Sequence, residues 1–321
     1  MIDVQRLRVL REAARQGSFN RAAAHLRMTP SAVSQQISAL ERSVGTPVVR
    51  RSTRGVELTE AGRVLVETGD AIAAELSQAE REIERLSQVD LEHLTVATFT
   101  SGGQRILPGA LTRFSAEHPG VELTVLEREP EESLVLVRSG AADLALAYHV
   151  DGPPLVRPGD RSGLTWVPLL EDPMWIVLPD DHRLAQRSSV SMAELGRERW
   201  VHGCLKVADA LGHYAALAGI DVQTACRGTD YIFAQELVRV GVGISLIPSV
   251  ALTSDSGGLA FVTLEPPRPT RYVGAVVTRR RPAALALALL DALEKTVQSP
   301  APTAGLSPAP RGRSTAPRPR R

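Results

Sequence analysis

Residues 28–45 read MTPSAVSQQISALERSVG, and the two sides of this stretch demand different surroundings. Thr29 stands where a hydroxyl can cap the first turn of a helix. Pro30 takes the first helical position, where its fixed φ and missing N–H do no harm. Gly45 and Pro47 end the helix. Between them Val33, Ile37, Leu40 and Val44 recur at steps of three and four, which lays one apolar stripe along it. The other side carries Ser31, Ser34, Gln35, Ser38 and Arg42: short hydroxyls, an amide and one guanidinium. That side is shaped to approach something polar at close range.

Upstream, Val4, Leu7, Leu10 and Ala14 have helical spacing, and Gly17 stops that helix. Ser18 is placed to cap a second helix, FNRAAAHLRM, whose Ala22, Ala23 and Ala24 permit close helix contact. Downstream, PVVRRSTRGVELT is a β-prone hairpin with Gly55 at its turn and arginines at its tip. Two short helices joined by a tight turn and followed by a hairpin make a winged helix-turn-helix. The first helix braces while the second enters the DNA major groove, about 12 Å wide. There Ser31, Ser34 and Ser38 let the backbone approach, and Gln35 is able to pair bidentately with adenine. The amides at the Thr29–Pro30 start favour a phosphate. Ser18 at the second helix start, with Arg50, Arg51 and Arg54 gripping flanking phosphate or the minor groove, completes the candidate DNA contacts. The residues alone also admit a blander reading, a solvated polar face on an ordinary bundle helix.

Charge is distributed in keeping with the first reading. The chain has 321 residues, 43% of them hydrophobic, and a formal net charge of only +1. That length is enough for two or three cored units. Residues 1–60 hold ten arginines against five acids, and residues 298–321 add five arginines and no acid. The body between therefore carries nine net negative charges, and a basic head on an acidic body implies that the head meets a polyanion. Two cysteines, Cys204 and Cys226, argue against a disulfide-built secreted fold. The N-terminus has no apolar signal region, and no apolar run approaches the ~20 residues of a membrane helix. A cytoplasmic protein without membrane contact is expected.

Four segments follow from the pattern: a DNA-binding head over 1–58, a linker helix over 59–89, an α/β body over 90–297 and a disordered basic tail over 298–321. In the linker, Leu65, Ile72, Leu76, Ala79, Ile83 and Leu86 form a coiled-coil seam, which implies a partner helix, most simply a second copy of the chain. The body alternates strand-like runs (HLTVATF, VELTVLE, ADLALAY, MWIVLP, GISLIP) with amphipathic helices, the pattern of a mostly parallel sheet. The tail is rich in Pro, Ala and Ser and too polar to bury a core.

The run GSFNRAAAHLRMTPSAVSQQISALERSVGTPVVRRSTRGVELTEAG resembles, without a gap, the N-terminal domain of LysR-type transcriptional regulators. The resemblance rests on Gly-Ser-Phe, the paired Ala, the Ser and Ile of the third helix, Leu-Glu before the Gly, and Leu-Thr-x-Ala-Gly into the linker. Val48-Val49 departs from the family's usual Leu-Phe and should loosen a wing contact rather than abolish the fold. LTVATFTSGGQRILPGALTRFSAEHPGVELTVLE, GAADLALA and ELVRVGVGISLIP resemble the family's effector-binding domain. The resemblance implies two α/β lobes like those of periplasmic binding proteins, lobe one at 92–162 and 268–297 and lobe two at 163–267, with a small-molecule effector between them. It further implies a homo-oligomer, a dimer through the linker helix and then a tetramer, acting on promoter DNA and RNA polymerase.

Within the body, TSGG lies between a strand end and a helix start, so Thr100, Ser101 and Gly102 offer hydroxyls and amides to an anion or polar head group. For Ser101 a plain N-cap is an equal reading. The resemblance places His202, Cys204, Thr229 and Asp230 on the second lobe's side of the cleft. In EREPEES, Glu129, Glu131 and Glu132 would repel an anion if they faced the cleft, which favours a neutral or cationic ligand. HGCLKVADALGH resembles the reactive-cysteine segment of peroxide-sensing relatives, with Lys206 or His202 near enough in sequence to lower a thiol pKa. His213, however, holds the resolving cysteine's place. A redox-responsive regulator acting through Cys204 is therefore the alternative. His202, Cys204 and His213 lack the spacing and the fourth ligand of a metal site, and neither metal nor cofactor is expected. An enzyme finds little support: GVGISLIP lacks the nucleotide-binding glycine pattern, and no Gly-x-Ser-x-Gly elbow occurs. A purely architectural DNA-binding protein would leave the two-lobed body without a task.

Overall fold

A computed structural model describes residues 2–52, 55–87, 92–157, 163–279 and 282–298. Arg54, the linker beyond Ser87 and the tail from 299 lie outside the described residues, as do the side chains of Arg51 and Leu86. The head contains α1 (Val4–Gln16), α2 (Phe19–Leu26) and α3 (Pro30–Val44). Thr29 accepts a hydrogen bond from the Ala32 amide and Pro30 follows at the first turn, while Gly45 closes α3 with φ +76°. Ser18 holds the N-cap position of α2 but makes no capping bond through its side chain, contrary to the expected role. The Ser18 carbonyl instead accepts the Ala22 amide. Leu7, Leu10, Ala23, Val33, Ile37, Leu40 and Val48 close one apolar core, with Val48 fully enclosed.

The wing is an antiparallel pair, β1 (Val49–Ser52) and β2 (Gly55–Leu58). Gly55 has φ +126°, and a Cβ there would lie 2.5 Å from the Gly17 carbonyl oxygen. The Val56 amide donates to that same oxygen at 3.0 Å, so the wing root is pinned to the turn between α1 and α2. Next comes α4 (Glu60–Ser87), a 28-residue helix of about 42 Å at 1.5 Å per residue. Its seam divides. Leu65 is buried in the head and Ile72 packs against it, whereas Leu76 and Ile83 are 54% and 64% exposed.

Lobe one is a sheet in which β3 (His93–Thr98) pairs in parallel with β4 (Glu122–Glu127) and β5 (Leu144–Val150). Strand β12 (Thr270–Thr278) runs antiparallel between β5 and β6 (Leu164–Pro179). Helices α6 (Leu107–Glu117) and α10 (Ala284–Gln298) bring apolar side chains to one face of the sheet, as do Phe99 and Ile106 at the two ends of α5 (Thr100–Arg105), and α7 (Pro130–Ser139) covers part of the other. In lobe two the far half of β6 pairs with β10 (Ser245–Pro248) and β11 (Leu259–Leu264), and β11 also pairs with the short β7 (Ser189–Val190). A separate parallel pair, β8 (Arg199–His202) and β9 (Gln223–Arg227), accompanies α8 (Leu205–Leu217) and α9 (Tyr231–Arg239).

Two expectations need correction. The body is mixed rather than mostly parallel, because β12, β10 and β11 all run antiparallel to β6. The lobes also do not divide at 163. Residues Leu164–Pro173 of β6 pair with β12 in lobe one, and the same strand continues from Met174 into the lobe-two sheet. One extended strand thus belongs to both lobes, and the passage lies beside Asp172.

Candidate functional site

The head offers a single polar face. Ser31 and Gln35 are exposed and Ser34 and Ser38 half-buried on α3, opposite the fully enclosed Val33, Ile37 and Leu40. The Thr29 hydroxyl is 3.0 Å from that of Ser31 as well as capping Ala32, so the first turn is ordered before any ligand arrives. Arg42 on the same helix and Arg50 on β1 are exposed, and Arg50 stands opposite Glu57 across the wing. The small side chains on this face leave room for close approach to a polar surface.

The second site is buried where the lobes meet. Arg271, on β12, is 1% exposed and donates from Nε and Nη2 to Asp172 Oδ2 at 2.9 and 2.6 Å. The fully buried Asp172 also accepts from the Val250 amide and the Ser249 hydroxyl through Oδ1. The third Arg271 nitrogen, Nη1, donates to Ser101 Oγ at 3.1 Å. The guanidinium lies 5.0 Å from the Phe99 ring centre and 4.9 Å from that of Tyr148. Buried charges of this kind persist only when paired and fully bonded, and this pair is.

Lobe two brings Cys204, Lys206 and Tyr231 against this group. Tyr148 Oη is 3.3 Å from both Glu129 Oε2 and Cys204 Sγ. Lys206 pairs with Glu131 and, at 3.5 Å, with Glu129, and its ammonium lies 5.5 Å from the Tyr148 ring centre. Tyr231 is buried, and its hydroxyl has the Cys204 sulfur near it but no well-formed hydrogen bond among the described residues. Burial pushes both tyrosine hydroxyls well above their ordinary pKa, so both stay protonated donors. Gly203 admits the Tyr231 ring, since a Cβ there would come within 2.7 Å of it.

The expected residues separate on inspection. Ser101, Glu129 and Cys204 lie in this group, and Gly102 packs under the Phe99 ring. Thr100 instead donates to Glu127 at 2.7 Å. Asp230 caps α9 through the Phe233 amide, and Thr229 is exposed beside it. The His202 ring bonds to the Thr224 hydroxyl, and burial, with the Arg227 charge, holds its pKa below the ordinary histidine value. His213 is exposed against Tyr214, so His202, Cys204 and His213 are not gathered as metal ligands. The acidic loop is partly compensated, with Lys206 shared by Glu129 and Glu131 and Arg128 3.8 Å from Glu132. Sequence reading missed Arg271, Asp172, Tyr148 and Tyr231. The available signal was ionisable residues inside strand-like runs, Arg in TRYVGAVVT and Asp in LLEDPMWIVLP.

Head and body are joined through α4. Asp70 accepts from Arg11 of α1 at 2.6 Å and from Arg138 of α7 at 3.0 Å, one carboxylate oxygen to each.

Residues 4–63 match the family described as bacterial regulatory helix-turn-helix protein, lysR family, and residues 87–298 match the LysR substrate binding domain. A probable hydrogen peroxide-inducible genes activator of Mycobacterium avium is 29% identical over 284 residues, covering 84% of this chain and 86% of that one. An uncharacterized HTH-type transcriptional regulator of Bacillus subtilis, YybE, is 24% identical over 274 residues, with 84% and 90% covered. Among solved structures, HinK, a LysR family transcriptional regulator from Pseudomonas aeruginosa, aligns with TM-score 0.55 at 21% identity over 92% of this chain and 99% of that one. Full-length CbnR complexed with its target DNA aligns with TM-score 0.53 at 18% identity, covering 92% and 100%. At these identities the two structures share the fold alone.

Proposed function

The chain belongs to the LysR family of DNA-binding transcriptional regulators, and from that premise we propose how its own residues couple a small molecule to DNA. Gln35, with Ser31, Ser34 and Ser38, reads base edges in the major groove, while Thr29, Pro30, Ser18, Arg50, Arg51 and Arg54 hold phosphate or the minor groove. The effector binds where the lobes meet, against Ser101, Tyr148, Cys204 and Tyr231. One observation carries this assignment: the Tyr231 hydroxyl is a buried donor with no well-formed hydrogen bond among the described residues, only the Cys204 sulfur near it, beside a charge pair that is already complete. A ligand acceptor there satisfies it.

Closure or opening of the lobes changes the Lys206 contacts to Glu129 and Glu131, which lead directly into α7. Arg138 on α7 passes the shift to Asp70 and so to Arg11 in the head. The exposed Leu76 and Ile83 supply the seam for a second copy, which pairs two heads on one operator, and a tetramer then spaces two such pairs for RNA polymerase. No catalytic step is required. Genome-wide footprinting names the target genes, and compounds of that pathway then raise the melting temperature of the protein and alter its footprint. A footprint identical with all such compounds and without them contradicts effector control.

A second reading rests on Cys204, 3.3 Å from the Tyr148 hydroxyl and beside Lys206. Attack of its thiolate on a peroxide would form sulfenic acid and release water or an alcohol. Mass spectrometry after mild peroxide tests it, and an unmodified Cys204 removes it.

A further inference from the structure

Alternation along β5 and β12 sends Tyr148 and Val273 to one face of the lobe-one sheet and their neighbours His149 and Tyr272 to the other. On that other face, beside α7, lies a cavity of about 750 Å³, within the range of small-molecule sites. Its wall is mostly aliphatic, with Glu171 among the lining residues and one cluster of three aromatic rings. His149 and Tyr272 stack with ring centres 5.2 Å apart and 17° between planes, and Trp166 meets His149 edge-on at 5.6 Å. Gly274 makes room for the indole, because a Cβ there would lie 2.4 Å from two of its ring carbons. Arg157 and Arg279 line the same cavity, and Arg279 is positioned by donating to the Leu164 carbonyl at 2.8 Å.

We propose that this cavity is a second ligand site, specific for a planar aromatic acid. The ring stacks against Tyr272 and Trp166, and the carboxylate accepts charge-assisted hydrogen bonds from Arg157 and Arg279. A neutral aromatic compound forfeits the second interaction and an aliphatic acid the first. The site acts on the lobe junction directly. Tyr272 pairs with Glu171 on the β12–β6 ladder, and the next rung is Arg271 with Asp172. A ligand that shifts Tyr272 therefore bears on the buried charge pair one residue away, whether or not the inter-lobe site is filled.

Calorimetric titration of the full chain with indole-3-acetate, indole-3-acetamide and cyclohexylacetate tests the assignment. Indole-3-acetate is expected to bind saturably, and roughly tenfold more tightly than either of the other two. In the Arg157→Gln/Arg279→Gln protein, whose two substituted positions are exposed, the preference for acid over amide should vanish while the melting temperature holds. Trp166→Leu should weaken all aromatic ligands, and Ser101→Ala, at the inter-lobe site, should leave the preference for acid over amide intact. No saturable binding of indole-3-acetate overturns the proposal. So does equal affinity for acid and amide in the unaltered protein. A loss that follows Ser101→Ala and spares the arginine variant overturns it too, and places the ligand between the lobes.

Discussion

The head and the inter-lobe site are assembled on opposite plans. Every residue of the head's polar face lies on α3 or the adjoining wing, within a few turns of chain. At the inter-lobe site Ser101 meets Arg271 across 170 positions, Asp172 meets Arg271 across 99, and Tyr148 meets Cys204 across 56. The head keeps its polar groups outside, ready for an external polyanion, and its interior is wholly apolar. The inter-lobe site buries a complete ion pair and two tyrosines. The contrast teaches where each region is vulnerable: the head to loss of volume, the lobe junction to loss of pairing.

Arg271→Met should have the largest effect on stability. It leaves Asp172 ionised, buried and without its cation, a loss of about 3–5 kcal/mol in the unfolding transition of the body. Arg271→Met with Asp172→Leu should recover most of that, since a buried pair replaced by apolar groups is often near neutral. Denaturant unfolding followed by tryptophan fluorescence reads the body, because Trp166, Trp175 and Trp200 all lie there. If the single and double variants are equally unstable, the pairing account fails. Ile37→Ala should cost about 2–5 kcal/mol in the head and abolish DNA binding, while the body's tryptophan transition stays in place. A shift of both transitions together would show that head and body do not unfold separately.

Legibility followed the same division. Thr29, Pro30 and Gly45 announced α3, and the Val33–Ile37–Leu40 stripe announced its inner side, because capping and helical periodicity are local and leave marks within a few residues. Ser101 and Glu129 came from short local runs, TSGG and EREPEES, and Cys204 from analogy with a family. Arg271 and Asp172 were not found, since neither has a local partner and only the strand pairing of β12 with β6 joins them. The partner of the acidic loop was hidden for the same reason. Lys206, which pairs with it, sits 75 positions from Glu131, a distance no local pattern spans.

Smaller effects sharpen the comparison. Gln35→Ala should relax base preference at one operator position, worth about 1–3 kcal/mol of discrimination. Arg50→Ala should weaken binding to all duplexes alike and reduce the salt slope by about 1. Equal loss of specificity from both would contradict the division of roles. In the body, His202 gives a modest pH signature. Its folded pKa lies below the ordinary value of about 6.5, so in that window the unfolded chain binds more protons than the folded one. Its contribution is present in full above about 6.5 and is lost as pH falls towards the depressed folded value. Unfolding midpoints measured across that range should fall less steeply in His202→Gln than in the unaltered protein, and parallel slopes would remove the assignment.

The most direct test is an anisotropy titration of the full chain, at fixed salt, against its own upstream duplex and a shuffled duplex of equal length and composition. If the face formed by Ser31, Ser34, Gln35 and Ser38 reads bases, the natural duplex binds at least about tenfold more tightly, and Gln35→Ala narrows the gap. Identical affinities for the two duplexes, unchanged by Gln35→Ala, would contradict it.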